Sequence, residues 1–386
     1  MRVSRFEALD AWRGICAVIV VVFHFVAMVP SSLERSLFIR NGYLFVDFFF
    51  VLSGFVLCHS YRGKIAGLGD IKRFAIRRFG RVWPLHAVVL GGFVAAVAWI
   101  DRLPHPAVLS ITPNGGAYSL DALLPSFLLL NAMGLTPQGT VWNGPAWSIG
   151  AEFYVYLLFA MLLVIASRRL MLAGLVLSMA ALMLGYWWAP ALMNATWDYG
   201  FIRCIASFFG GVVAYHVYEI SGERSLARAT LWEAGAAALV IGFVINASDG
   251  ADAVSVLSLA APLVFGAAVV VFAGEHGLLS LLLKARPFKA LGRYSFSIYM
   301  IHMPLLVMLC YGLWTEGYET KAFGISGARP WLGSADLILV DFVLAVIVIA
   351  AASHRFIELP ARQAFNRIAE GGLVQRWTGR GRLAYD

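Results

Sequence analysis

Ten runs of about twenty mostly apolar residues divide this chain, and they restrict its fold more than any other feature. They cover roughly residues 11–30, 43–61, 82–101, 146–166, 170–189, 201–219, 231–248, 254–273, 294–313 and 337–356. A helix needs about 20 apolar residues to cross a bilayer core. Inside that core every backbone N–H and C=O must be satisfied within the protein, which leaves helices as the expected form. Composition points the same way. Of the 386 residues, 60% are hydrophobic and 13% charged, with a mean hydropathy of +0.77. Soluble domains are about 45–50% apolar and about 25% charged. The expectation is an all-α polytopic membrane protein with its spans in residues 1–360 and a short basic cytoplasmic tail over 361–386.

Basic residues set the expected orientation. One set of alternate loops holds Arg35, Arg40, Arg102, Lys321 and Arg329, and Arg203 lies within a span; the other basic residues fall on the N-terminal side. The positive-inside rule then places both termini in the cytoplasm. The net charge of +8 reads as this asymmetry and not as a nucleic-acid surface. Cys16, Cys58, Cys204 and Cys310 all fall in apolar runs without metal-ligand or disulfide spacing, so they read as core residues and no metal is expected. The first run is too long for a signal-peptide core and is expected to be retained as a span. Asp121–Gly134 is apolar but short and contains Pro125. It reads as an interfacial or re-entrant piece of the long loop 102–145.

Ionisable residues inside the spans are the candidates for function, because charge at that depth is costly. In the first run, AWRGICAVIVVVFHFVAMVP, Arg13 and His24 are eleven residues apart. That returns them to one helix face, about 16 Å apart along the axis. A histidine there serves either as a hydrogen-bonding core residue or as a functional group, and position alone leaves both open. In GYLFVDFFFVLSGFVL, Asp47 needs a partner, while Ser53-Gly54 reads as close helix packing. In IRRFGRVWPLH, Arg77, Arg78 and Arg81 cluster at the start of a span; guanidinium forks suit phosphates, although ordinary positive-inside charge explains any one of them. In VWNGPAWSIGAEFYVYLLFA, Ser148 stands one turn before Glu152 on the same face, and Trp142 and Trp147 fit an aromatic belt. Glu152 must be protonated, paired or facing water. His302 falls at a depth similar to His24, which would let the two share a cavity. Arg203 and Asp341 add two more intramembrane charges. Glu358 lies close enough to Arg355 and Arg362 for a local ion pair. His59, His86, His105, His216, His276 and His354 fall near span ends or in loops and are assigned no chemistry. An imidazole, which titrates near neutral pH, suits general-base work. The residues alone therefore lead to an intramembrane group-transfer enzyme or a transporter. A transporter or flippase would line its path with the same charges, but the matched, interrupted helices of many transporters are not found.

The segments LDAWRGICAVIVVVFHF, GYLFVDFFFVLSGFVL, RRFGRVWPL, WSIGAEFYVYLLF, the stretch from Arg203 to FFGG, LGRYSFSIYMIHMPL and FIELPAR occur in this order along nearly the whole chain. Together they resemble the acyltransferase-3 family of integral membrane acyltransferases. The family's basic residue and histidine, ten residues intervening, resemble Arg13 and His24; its RxxR element resembles Arg78 and Arg81. Its WSL-x-x-E element resembles Trp147, Ser148 and Glu152, with Ile149 in place of Leu. Many members continue with a second polar residue, where this chain has Phe153-Tyr154, a difference expected to alter the acceptor site. The resemblance implies transfer of an acyl group, most often acetyl, from acyl-CoA to a hydroxyl of a carbohydrate or glycoconjugate at the bacterial inner membrane, with no bound cofactor. It implies catalysis by His24, Arg13 and Glu152, with His24 as general base or acyl relay, Arg13 orienting the donor or pairing with Asp10 and Glu152 positioning the acceptor or tuning His24. It puts Arg77, Arg78 and Arg81 on the donor phosphates. Asp47, Ser148, Trp147, Arg203 and His302 are expected to shape the acceptor site.

Overall fold

The computed structural model describes residues 6–135, 142–222, 225–248, 254–323 and 335–371. Among them, ten helices are long and apolar enough to cross a membrane. They are α1 (Glu7–Met28), α2 (Phe45–Tyr61), α3 (Leu68–Ile100), α4 (Ala146–Ile165), α5 (Leu170–Trp188), α6 (Gly200–Ile220), α7 (Leu226–Ile245), α8 (Ala261–Ala273, extended by a 3-10 turn from Val256), α9 (Arg286–Thr315) and α10 (Ala335–Ser353). A π turn over His354–Glu358 leads into α11 (Leu359–Ala369). The protein is a multi-pass, all-α membrane protein.

Two spans are longer than their apolar runs. Helix α3 begins at Leu68, fourteen residues before its apolar part, and α9 begins at Arg286. Those extensions are amphipathic, so hydropathy does not find them. They carry α3 roughly 20 Å beyond its apolar stretch at the end of the bundle that holds Arg77, Arg78 and Arg81, called here the basic face. Residues 361–369, within the expected basic tail, are helical and pack along this extension. Phe365 of α11 lies against Gly80, and its ring is 5.7 Å from that of Phe79. Residues 372–386 of the expected tail lie outside the described residues.

The segment Asp121–Gly134, expected as an interfacial or re-entrant piece, folds against α3 and α4. Its short helix, Leu123–Phe127, reaches the middle of α3. Trp83 Nε1 donates to the Phe127 carbonyl (3.0 Å), and His86 Nε2 donates to the Ser126 carbonyl (2.8 Å). Both side chains lie roughly 20–25 Å along α3 from Ile100. Tyr154 of α4 donates to the Leu128 carbonyl (3.0 Å). The carbonyls of Ser126, Phe127 and Leu128 are thus satisfied by side chains of α3 and α4, as non-helical backbone away from water requires.

The core is built by α1 running along α9, and by α2 and α5 running along α6. The α2–α6 contact needs glycine. A Cβ on Gly54 would stand 1.9 Å from the Phe208 carbonyl oxygen, and one on Gly211 would stand 1.9 Å from that of Val51. Small residues let the two backbones meet, as the packing reading expected for Gly54; Ser53 instead lines a cavity and bonds to Tyr156. Gly54→Leu must push the helices apart and should destabilise by about 1–3 kcal/mol or more. The measurement is the thermal midpoint in detergent. Gly91→Ala, with open space around it, is the control and should not lower the midpoint, since Ala favours the helix over Gly.

Candidate active site

Two cavities lie end to end inside the bundle. The inner one, toward the basic face, has a volume of about 140 Å³ and is walled by α1, α2, α3, α4 and α9. Its polar lining includes Arg13, Ser53, Arg78, Arg81, Glu152 and Tyr156; Val46, Phe49 and Phe50 are among its apolar residues. Arg78 donates to Tyr61 Oη (3.1 Å) and lies over the rings of Tyr61 (5.4 Å) and Phe74 (5.6 Å). Stacking leaves most of a guanidinium's in-plane donors available for oxygen ligands. Glu152 has the Ser53 and Tyr156 hydroxyls beside it, with Arg81 and Arg78 as cationic neighbours; those hydroxyls are 3.0 Å apart. Arg13 donates to Ser295 Oγ (2.9 Å) and the Gly292 carbonyl (3.2 Å) and pairs with Asp10 at 3.1 Å.

The outer cavity, about 260 Å³, is lined by His24, Tyr43, Trp147, Trp197 and Arg203, with Asn194 and Thr196 among its polar groups. His24 is held in one tautomer. His302 Nδ1 lies 2.7 Å from the Tyr299 carbonyl and 3.3 Å from that of Ile298. Carbonyls only accept, so this Nδ1 carries the proton, and Nε2 of the neutral His302 ring is an acceptor. That Nε2 stands 3.2 Å from His24 Nδ1, which is also 2.9 Å from the Val20 carbonyl. Both neighbours of His24 Nδ1 are therefore acceptors, and Nδ1 donates to them. The lone pair of the neutral ring is left on His24 Nε2, the atom that can take a proton.

Arg203 closes the wall of this cavity. Its Nη2 donates to Asp47 Oδ2 at 2.7 Å and to the Tyr43 carbonyl at 2.9 Å. Its Nε donates to Asp47 Oδ1 at 3.1 Å, and its Nη1 to the Ala195 carbonyl at 3.1 Å. Ser207 donates a further bond to Asp47 (2.8 Å). The Arg203 guanidinium lies 5.2 Å from the Trp147 ring centroid. Asp47 is 0% and Arg203 4% exposed. The pair ties α2 to α6 and fixes one aromatic side of the cavity.

The sequence model of the acyltransferase domain of the acyltransferase-3 family matches residues 6–354. The chain belongs to this family. Acyltransferase MdmB of Streptomyces mycarofaciens is 26% identical over 352 residues, covering 84% of this chain and 82% of that protein. Protein 2 in the picA locus of Rhizobium radiobacter is 34% identical over 169 residues, covering 41% of this chain and 82% of that protein. No solved structure matches.

In this family member the candidate residues divide between the two cavities. Arg13, Arg78, Arg81, Ser148 and Glu152 line the inner one; His24, Trp147 and Arg203 line the outer one. Arg13, expected about 16 Å from His24 on the same helix face, lines the inner cavity with Glu152 and pairs with Asp10. The face shared by Arg13 and His24 is real, but α9 packs along it, and Tyr299 of α9 stands between the two levels as a lining residue of both cavities. Arg77 is not a lining residue. It turns toward α11 and pairs with Glu370 at 3.2 Å. Asp47 is the partner of Arg203, and His302 is fully buried behind His24. Glu358, expected to pair locally with Arg355 or Arg362, is buried and accepts from Ser297 Oγ (2.8 Å), with His354 Nδ1 at 3.1 Å. Arg355 lies over the Phe356 ring. The π turn rotates Glu358 inward, which an α-helical count of the sequence does not foresee. His216 lies one turn from the end of α6, as expected, whereas His86 falls in the middle of α3. Asp341 faces outward from α10. Two buried groups escape the sequence reading. Glu233 of α7 accepts from Gly277 N (3.0 Å), Ser280 N (3.0 Å) and Ser280 Oγ (2.5 Å). Tyr299 is an aromatic residue in mid-span, and such a residue reads as core.

Proposed function

We propose that this membrane acyltransferase moves an acyl group, acetyl in the first instance, from acyl-CoA to a hydroxyl of a carbohydrate or glycoconjugate. The observation that carries the reading is the fixed tautomer of His24, which leaves Nε2 as base on a residue of the outer cavity, while the arginines line the inner one. The basic face would be cytoplasmic by the positive-inside rule, in the inner membrane of a bacterium. Arg78 and Arg81 hold donor phosphates, and Arg77, tied to Glu370, sits outside that role. Glu152 orients the two arginines or the pantetheine arm on the donor side. Arg13 holds α1 against α9 at the same level.

The acceptor enters the outer cavity, where Trp147, Trp197 and Tyr43 offer flat apolar faces and Asn194 and Thr196 offer polar groups. His24 Nε2 takes the proton of the acceptor hydroxyl. The oxygen attacks the thioester carbonyl carbon, the C–S bond breaks, and CoA leaves as thiolate, which takes up a proton. His302 accepts from Nδ1 throughout and steadies the imidazolium.

The test is CoA release from acetyl-CoA by purified protein in detergent, with and without a total envelope glycan extract. Acceptor-dependent release that His24→Ala abolishes supports the reading. Acceptor-dependent release unaffected by His24→Ala refutes its role as base. A transporter would move its substrate without consuming acyl-CoA. In the same assay Arg78→Ala should raise KM for acetyl-CoA about tenfold or more, as expected for loss of a charge-assisted hydrogen bond worth about 1.5–3 kcal/mol. An unchanged KM removes Arg78 from donor binding.

A further inference from the structure

Val46 and Tyr299 are the two residues common to the linings of the inner and outer cavities. Val46 is a short side chain on α2. Tyr299, on α9, is large, 5% exposed, and pinned across the passage to α4. Its hydroxyl is 2.7 Å from Ser148 Oγ and 3.1 Å from the Pro145 carbonyl, and Ser148 Oγ itself lies 3.0 Å from that carbonyl. Its ring meets Phe49 edge-on at 5.8 Å. The pinning groups straddle the division, because Ser148 lines the inner cavity and Pro145 the outer. The main-chain carbonyl of Tyr299 also accepts from His302 Nδ1, so the same residue sets the tautomer chain that ends at His24.

We propose that Tyr299 is a movable partition between the cavities, a positioning residue that makes cleavage of the thioester depend on an acceptor. The inference rests on the reading above for the identity of the donor, but the partition itself rests on geometry alone. With the ring across the passage, water in the outer cavity does not reach a thioester in the inner one. Neutral hydroxyl bonds of this kind contribute little net and are readily exchanged, so an acceptor hydroxyl can take the place of Ser148 or Pro145 as the partner of Tyr299. The ring then yields, and the acceptor oxygen meets the carbonyl carbon beside His24. Without the ring, water attacks that carbon, the C–S bond breaks, and free CoA thiol and free carboxylic acid are released with nothing transferred.

Two experiments test this on the full chain in proteoliposomes. In the first, the four buried native cysteines are replaced by Ala and Ser53→Cys reports the inner cavity. A membrane-impermeant charged methanethiosulfonate is added from either face. With Tyr299 present the reporter should react from the basic face only. In Tyr299→Ala it should also react from the opposite face, at least tenfold faster than in the parent. Tyr299→Phe keeps the ring and should stay one-sided. Ala27→Cys, on the outer cavity lining, should label from the opposite face in parent and Tyr299→Ala alike, which shows that the bundle is intact. Labelling of Ser53→Cys from both faces in the parent overturns the proposal. So does one-sided labelling in a Tyr299→Ala protein whose Ala27→Cys reacts normally. In the second experiment Ser53 is restored, and acceptor-free CoA release from acetyl-CoA is compared with acetyl transfer. Their ratio should rise at least tenfold in Tyr299→Ala. An unchanged ratio with an opened passage overturns the dependence on acceptor. If no variant releases CoA from acetyl-CoA, the acyl-CoA reading fails and the dependence on acceptor fails with it, while the labelling still decides the partition.

Discussion

Replacing His24 with alanine should lower kcat for acetyl transfer by about 10²–10⁴, the usual loss on removing a general base. That corresponds to about 2.7–5.5 kcal/mol of barrier. KM for acetyl-CoA should change little, because His24 lines the outer cavity and the arginines line the inner one. The neighbouring histidine gives a graded comparison. His302→Ala removes one acceptor from His24 Nδ1, but the Val20 carbonyl, 2.9 Å away, still holds the proton there. Its kcat should therefore fall by less than that of His24→Ala. Steady-state kinetics on purified protein in detergent, with acetylated acceptor as readout, decides both. A His302→Ala protein as impaired as His24→Ala would mean that the pair acts as one unit and not as a base with a positioning partner.

The second large effect is on stability. Arg203→Ala leaves Asp47 fully buried among α2 and α6, with Ser207 as its remaining hydrogen-bond donor among the contacts described. Breaking one side of a buried ion pair costs about 3–5 kcal/mol, because the partner charge stays behind without compensation. The thermal midpoint of the detergent-solubilised protein should fall accordingly, and the outer cavity should lose the cation beneath Trp147. The double variant Asp47→Leu with Arg203→Met should recover most of that loss, since it removes both charges together. Recovery in stability without recovery of transfer would separate the structural duty of the pair from its duty at the cavity wall. An Arg203→Ala protein with the parent's midpoint would show that the pair is not what ties α2 to α6.

The apolar runs alone determined that this chain is a multi-pass helical membrane protein, with ten membrane-length helices among the described residues, because water-free surroundings leave a backbone few ways to satisfy its polar groups. They located α1, α2, α4, α5 and α6 to within a residue or a few, and the proline in the short Asp121–Gly134 run marked it as something other than a span. Their failures have one cause. The starts of α3 and α9 and all of α11 are amphipathic, so they lack an apolar run, and α11 and the start of α3 bury their apolar faces on each other, Phe365 lying against Gly80. The same division holds at the site. Arg13, His24, Arg78, Arg81, Glu152, Arg203 and His302 were legible because ionisable groups are expensive at membrane depth and stand out in apolar sequence. Which of them share a cavity was not legible, since helix periodicity fixes a residue's direction around its own axis and says nothing of what crosses in front of it. Only the packing of α9 along α1 set Tyr299 between Arg13 and His24 and, through a carbonyl three residues from His302, left the lone pair of the His24 ring on Nε2, while Arg77 turned away toward Glu370.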